Sequence, residues 1–234
     1  MAGNLKVMST LAVELALKRA ILPAWEDAGN SVEMDWNPTG ILIERVRNGE
    51  RGDILIAIDS PITTLADEGI LLQDTIRPVA RASFGLAARA GSSLPDISTP
   101  ERFKAALLAA RSVAYSLTGA SGLHFQKVLD QLGIAETVRK RAVTINAGFT
   151  AEKIISGEAE LAVQQISELM SVDGVDVIGP FPAPFQKPTD FSAAVFSGAK
   201  NPKLAAAFLD HLSGAAAIEA YERSGLKARF PAAA

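Results

Sequence analysis

The chain has 234 residues, of which 48% are apolar, so it can bury a sizeable core without covalent staples. Its net charge is -3, from 23 basic and 26 acidic residues that are interspersed, which gives no electrostatic footprint for nucleic acid or a membrane surface. Cysteine is absent, which removes disulfides, thiolate nucleophiles and sulfur-ligated metals, and with only two histidines, His124 and His211, an all-protein metal site is not expected. No cofactor motif occurs, neither G-x-G-x-x-G nor G-x-x-x-x-G-K-[ST].

No apolar run reaches the roughly 18 residues of a membrane helix, since Glu14, Lys18 and Arg19 interrupt the one near the start. The chain opens within a few residues on a strand, Leu5 to Met8, which leaves no room for a signal peptide. Two placements follow: a cytoplasmic protein, or a periplasmic one whose signal has been removed.

After Leu5 to Met8 comes Ser9-Thr10 and a helix from about Leu11 to Asp27, ended by Gly29. Val32 to Trp36 alternates as a half-buried strand, and Asn37-Pro38-Thr39-Gly40 turns into a second helix that ends at Gly49. Asp53 to Ile58 is a near-continuous apolar run, as a central parallel strand covered on both faces requires, and Asp59-Ser60-Pro61 starts a third helix. Repetition of strand, polar turn and helix is the pattern of βα units and a mainly parallel sheet.

From Arg77 the pattern changes, because Val79 to Ala88 reads as one long strand carrying Arg81. It marks a crossing into a second group of βα units. Ser98-Thr99-Pro100-Glu101 opens a helix with a capping hydroxyl and an early proline. Ser112 to Tyr115 is a buried strand, followed by Ser116, Thr118, Gly119, Ser121 and Gly122 and then a helix ending at Gly133. Ala142 to Ile145 and Leu161 to Gln165 are further strands, with a strand-to-helix turn at Asn146-Ala147-Gly148-Phe149-Thr150. Val175 to Ile178 is a short strand, and Gly179 to Pro188, with four prolines, is an extended connection. Phe191 to Phe196, running beside the Val79 to Ala88 strand, gives a second crossing, and helices Pro202 to Leu212 and Ala215 to Arg223 rejoin the first group. The expected fold is α/β, with two βα lobes of mainly parallel sheets joined by a two-strand hinge. Residues 1–82 and 190–234 form lobe I and residues 83–189 lobe II, with a ligand cleft between them.

A loop of hydroxyls and small residues before a helix can hold an anion on unpaired N–H groups and the positive helix end, or its hydroxyl can simply cap that helix. Gly119-Ala120-Ser121-Gly122 falls short of a nucleophile elbow, because Leu123 stands where G-x-S-x-G needs glycine. His124, in the first helical turn, is either a neutral imidazole for a ligand or a histidine packed under the loop. His211 reads as a surface or dipole-stabilising residue near a helix end, and Arg139-Lys140-Arg141 as a solvated run. Arg81 on the crossing strand either grips a carboxylate or tetrahedral oxyanion, or forms an interlobe salt bridge.

Met8-Ser9-Thr10, Asn37-Pro38-Thr39-Gly40, the run from Ile41 to Ile56, Ala120-Ser121-Gly122-Leu123-His124 and Gly157 to Val163 together resemble the molybdate-binding proteins of ABC importers, within the type II periplasmic binding proteins. The resemblance spans Leu5 to about Leu226. It implies a solute-binding protein, monomeric by default and served by importer membrane subunits, that closes on a small anion with no cofactor. By position it implies ligand contacts at Thr10, Thr39, Gly40, Ser121, Gly122, Gly148, Phe149 and Gln165, to which Arg81 and His124 add. Thr10 and Gln165 stand where that group often has serine and tyrosine, which points to an organic acid. Bacterial aconitate isomerases look like members of the same group, and for them Arg81 would hold a carboxylate while His124 moved an allylic proton.

Overall fold

The computed structural model describes residues 4–230; residues 1–3 and 231–234, part of the expected lobe I, lie outside the described residues. Its strands are β1 (Asn4–Ser9), β2 (Ser31–Trp36), β3 (Ile54–Ile58), β4 (Arg77–Ala82), β5 (Phe84–Arg89), β6 (Val113–Ser116), β7 (Ala142–Ile145), β8 (Leu161–Gln165), β9 (Val175–Pro180), β10 (Thr189–Val195) and β11 (Leu226–Ala228). They form one sheet in the order β11-β4-β10-β3-β1-β2 and another in the order β7-β6-β8-β5-β9. The chain divides into a first unit, Met1–Arg81 with Thr189–Ala234, and a second unit, Ala82–Pro188.

Each sheet is mixed. In the first unit β1 pairs in parallel with β2 and β3, whereas β10 runs antiparallel to β3. In the second unit β6 pairs in parallel with β7 and β8, and β5 runs antiparallel to both β8 and β9. The stretch expected as one strand from Val79 to Ala88 is two, since the extended chain breaks at Ser83 and the halves join different sheets. The local cause is pairing: Ser83 gives its carbonyl to the Ile166 N–H at 2.9 Å, and Phe84 opens the ladder with Gln165.

Strand alternation builds both faces of the second sheet. Leu86, Val113, Tyr115 and Val163 face a core shared with Phe103, Phe125 and Phe181, while Ala87, Ala114 and Ala162 face Ile154 and Leu169. In the first unit Met8, Leu55, Ala57 and Ala194 pack under Leu42, Val46, Ile62 and Leu65 from helices Thr39–Arg47 and Asp59–Asp67. Asp53, buried before β3, accepts hydrogen bonds from the N–H groups of Lys6 and Lys200, both at 2.8 Å, so this carboxylate ties β1 and the chain after β10 to β3.

The first helical run, residues 11–27, changes geometry through 3₁₀, α and π turns before Leu22–Asp27, which carries proline in its first turn. A π turn leaves carbonyls aimed differently from an α turn, and His211 Nε2 lies 2.8 Å from the Ile21 carbonyl with its ring against Trp25 and Phe208. His211 is thus a packing and bridging residue, which corrects the surface assignment. Arg141 is corrected too: its guanidinium donates to the Leu107 and Leu108 carbonyls, at 2.9 and 2.7 Å, around the end of helix Pro100–Ala109.

Candidate functional site

In the first unit the parallel register sets Ser9 opposite both Trp36 and Ile56, so the turns after β1, β2 and β3 leave the sheet at one edge. Thr10 is buried there, its N–H on the Ile56 carbonyl at 2.9 Å, and its side chain does not cap the 3₁₀ turn Leu11–Val13. Thr39 begins helix Thr39–Arg47 after the Pro38 cap, and its buried Oγ1 has no hydrogen-bond partner. The first helical N–H with a backbone acceptor is that of Leu42, so among the described residues those of Thr39, Gly40 and Ile41 stay unpaired. Gly40 is exposed and has open space around it.

Asp59, at the C-terminal end of β3, and the start of β10 bring charge to the same unit. Arg81 pairs bidentately with Asp190 through Nε and Nη2, at 2.6 and 2.8 Å. Arg229 Nη1 reaches Asp59 at 2.8 Å, and its Nε stands 3.5 Å from Asp190, while Ser192 donates to Asp59 at 2.8 Å. The Arg81 guanidinium, chiefly by hydrogen bonding, holds the Asp190 carboxyl below its ordinary value and is itself raised. Of the two roles open to Arg81, the structure gives it an ion pair, made within the first unit.

In the second unit β6 ends at Ser116, whose Oγ accepts the N–H groups of Thr118 and Gly119 at 3.3 and 2.9 Å. Thr118 Oγ1 donates to the Asn146 carbonyl at 2.7 Å, tying this loop to the one after β7. The helix Ala120–Gln131 starts so close to the strand end that a Cβ at Gly122 would overlap the Ser116 carbonyl oxygen and lie 2.6 Å from its carbon. Only glycine permits that approach. Ser121 is buried without capping the helix, and the N–H groups of Ala120, Ser121 and Gly122 have no backbone acceptor among the described residues.

His124 sits 2.6 Å through Nε2 from the Phe185 carbonyl, with its ring 5.2 Å from that of Phe84. A carbonyl can only accept, so Nε2 carries a proton and Nδ1 is the ring nitrogen left without a partner among the described residues. The packed role is therefore realised for half of the ring.

Gly148, at φ 85°, turns the loop after β7, with half-buried Phe149 beside it. The loop is held by Gln164, whose Oε1 accepts from the Thr150 N–H and Oγ1 at 2.8 and 3.0 Å and whose Nε2 donates to the Gly148 carbonyl at 3.0 Å. Gln165 is also buried and stands at the N-cap position of helix Ile166–Leu169, where its N–H donates to the Glu168 carboxylate at 3.3 Å and its Oε1 has no hydrogen-bond partner.

Thr10, Thr39, Gly40 and Arg81 thus belong to the first unit, and Ser121, Gly122, His124, Gly148, Phe149 and Gln165 to the second. Ser116 was named only as one hydroxyl of its loop, and Gln164, Gln186, Asp190 and Arg229 were not singled out in the sequence. Gln186 pairs both amide groups with the Phe84 backbone, each at 2.9 Å, and fixes the proline-rich connection to β5. The acid at the start of a strand expected to run beside Arg81 was the available signal for Asp190. Among the described residues no three His, Asp or Glu side chains gather as metal ligands, and no helix is long and apolar enough to cross a membrane.

A family model for bacterial extracellular solute-binding proteins matches residues 5–227. An aconitate isomerase from Pseudomonas sp. is 33% identical over 217 residues, covering 89% of this chain and 82% of that protein. Among solved structures, the periplasmic molybdate-binding protein of Azotobacter vinelandii superposes with a TM-score of 0.78 at 19% identity, covering 95% of this chain and 98% of that one. A sulfate-binding protein of Mycobacterium tuberculosis gives 0.73 at 16% identity, covering 97% and 88%. The two-sheet fold is that of type II periplasmic binding proteins, as the sequence resemblance implies. With residues 5–227 of 234 matched by that model, the chain belongs to the bacterial extracellular solute-binding protein family.

Proposed function

We propose that the chain binds a small organic anion bearing more than one carboxylate, as the periplasmic receptor of an ABC importer. The observation that carries this reading is the donor set at the start of helix Thr39–Arg47: a buried Thr39 hydroxyl without a partner beside three unpaired N–H groups. Leaving such a hydroxyl unsatisfied costs about 1–3 kcal/mol. A carboxylate supplies the missing acceptor and meets the positive end of the helix. The start of helix Ala120–Gln131, with Ser121 and its own unpaired N–H groups, offers a second set of the same kind.

The choice of carboxylate over a tetrahedral oxyanion rests on the 33% identity to an aconitate isomerase. Thermal unfolding with cis-aconitate, trans-aconitate, citrate, molybdate and sulfate tests the reading. A ligand at 100 times its Kd adds about 2.7 kcal/mol to the folded state. A polycarboxylate should raise the transition more than molybdate or sulfate, and Thr39→Ala should remove most of the rise. No shift with any polycarboxylate refutes it.

The same identity favours a second reading, isomerisation of the bound acid. An allylic proton would leave one carbon of a tricarboxylate and return to another, with His124 Nδ1 taking and giving the proton. Conversion of cis- to trans-aconitate, followed by ultraviolet absorbance, separates the two. Turnover abolished by His124→Gln supports the enzyme, and tight binding without turnover leaves the receptor.

A further inference from the structure

A cavity of about 470 Å³ in the second unit lies away from the residues discussed so far. It lies at the opposite ends of the same strands. β6 starts beside the cavity residues Ala110 and Arg111 and ends at Ser116; β8 starts at the cavity residue Leu161 and ends at Gln165; antiparallel β5 starts at Phe84 and ends at the cavity residue Arg89. Four to six residues of strand, roughly 10–17 Å, separate the two edges.

The walls are apolar: Leu94, Ile154 and Leu161, with Ala106 and Ala109 of helix Pro100–Ala109 leaving the space open. Charge gathers among the lining groups. Arg89 Nη2 donates to the carbonyls of Ile154 and Ile155, at 2.5 and 3.1 Å, which fixes that guanidinium in place. Arg111 is exposed, and among the described residues its guanidinium has neither a hydrogen bond nor an ion pair. Glu160 spends one carboxylate oxygen on the Arg111 N–H at 2.7 Å. Two guanidinium groups against one carboxylate leave the cavity lining cationic.

An apolar pocket of this size with a few convergent polar groups is the usual form of a small-molecule site. We infer that it is a second ligand site, separate from the polycarboxylate site, for a monocarboxylate with an aliphatic tail: the tail against the alanine and leucine walls, the head on Arg111 and Arg89. Alkyl cations are repelled, and small polycarboxylates have no apolar part to bury there.

The test is calorimetric titration of the whole chain with hexanoate, octanoate, octylammonium and octanol. Each buried methylene is worth about fourfold in affinity, so octanoate should bind about 15-fold tighter than hexanoate. Octylammonium should not bind, and octanol should bind more weakly than octanoate. Arg111→Gln should weaken octanoate about tenfold. Ala109→Trp, which fills the cavity from an exposed helical position, should abolish binding, while Thr39→Ala should leave it intact. The inference is overturned if octanoate does not saturate, if octylammonium binds equally well, or if Thr39→Ala removes the binding. It is also overturned if Ala109→Trp and Arg111→Gln both bind octanoate like the parent; should the tryptophan variant fail to fold by circular dichroism, Arg111→Gln alone decides.

Discussion

Replacing Gly122 by alanine tests the reason for the small-residue turn after β6. The new methyl group would meet the Ser116 backbone, overlapping its oxygen and standing 2.6 Å from its carbon. Neither atom belongs to a flexible side chain, so the strand end and the helix start must separate by roughly 1 Å in a close-packed region. Overpacking of this kind costs about 1–3 kcal/mol and more where backbone must move, against a gain of about 1 kcal/mol in helix propensity. The net expectation is a loss of about 2 kcal/mol or more. Gly40→Ala is the matched control, since Gly40 also stands early in a helix but has nothing within 4 Å of an added Cβ. It should be neutral or stabilising by about 1 kcal/mol. Urea unfolding followed by circular dichroism measures both, with the midpoints separating at an unchanged slope. If Gly122→Ala unfolds within about 0.5 kcal/mol of the parent, the close approach does not exist and the account of this loop fails.

Three further outcomes follow from the geometry. Thr39→Ala should leave the unliganded protein as stable as the parent or up to about 1 kcal/mol more so, because the hydroxyl it removes is buried without a partner; a loss of stability in urea would mean that Oγ1 has a structural partner. Gln164→Ala should cost about 3 kcal/mol by stripping the partners of Thr150 and Gly148 in a buried setting, and hydrogen exchange at the Thr150 amide should quicken with it. Glu50, hydrogen-bonded to Arg45 and then Lys6, is held down to about 2 from its ordinary 4.5. A depressed carboxyl stabilises the fold above its unfolded value, so this contribution, about 1 kcal/mol after solvent screening, is present above pH 4.5 and is lost as pH falls towards 2. The difference in melting temperature between the parent and Glu50→Gln should shrink over that window; a constant difference would contradict the pairing.

Much of the fold was legible because the cues are local. Alternation and continuous apolar runs marked β3, β7 and β8, and proline or glycine at helix ends placed Pro202–Leu212 and Ala215–Arg223. What escaped depends on partners distant in sequence. Nothing in Val79 to Ala88 but a single serine announces that the strand changes sheets, because the change is made by β8 and β10. Arg81 finds its acid 109 positions later, and the His124 ring is held by a carbonyl 61 positions away. Adjacent Gln164 and Gln165 look equivalent in the sequence, yet a strand turns them to opposite faces: one clamps the loop after β7, and the other stands at the start of the helix that follows with its side-chain oxygen unpartnered.

The strand order also sets a timetable for synthesis. The second unit is one continuous stretch, so all of its strands have been made by the time Pro188 emerges. The first unit is not so placed: β10, which lies between β3 and β4, is among the last segments made. Until it arrives, β3 offers the ribosome-bound chain a bare backbone edge flanked by Ile54, Leu55 and Ile56, open to any other extended chain nearby.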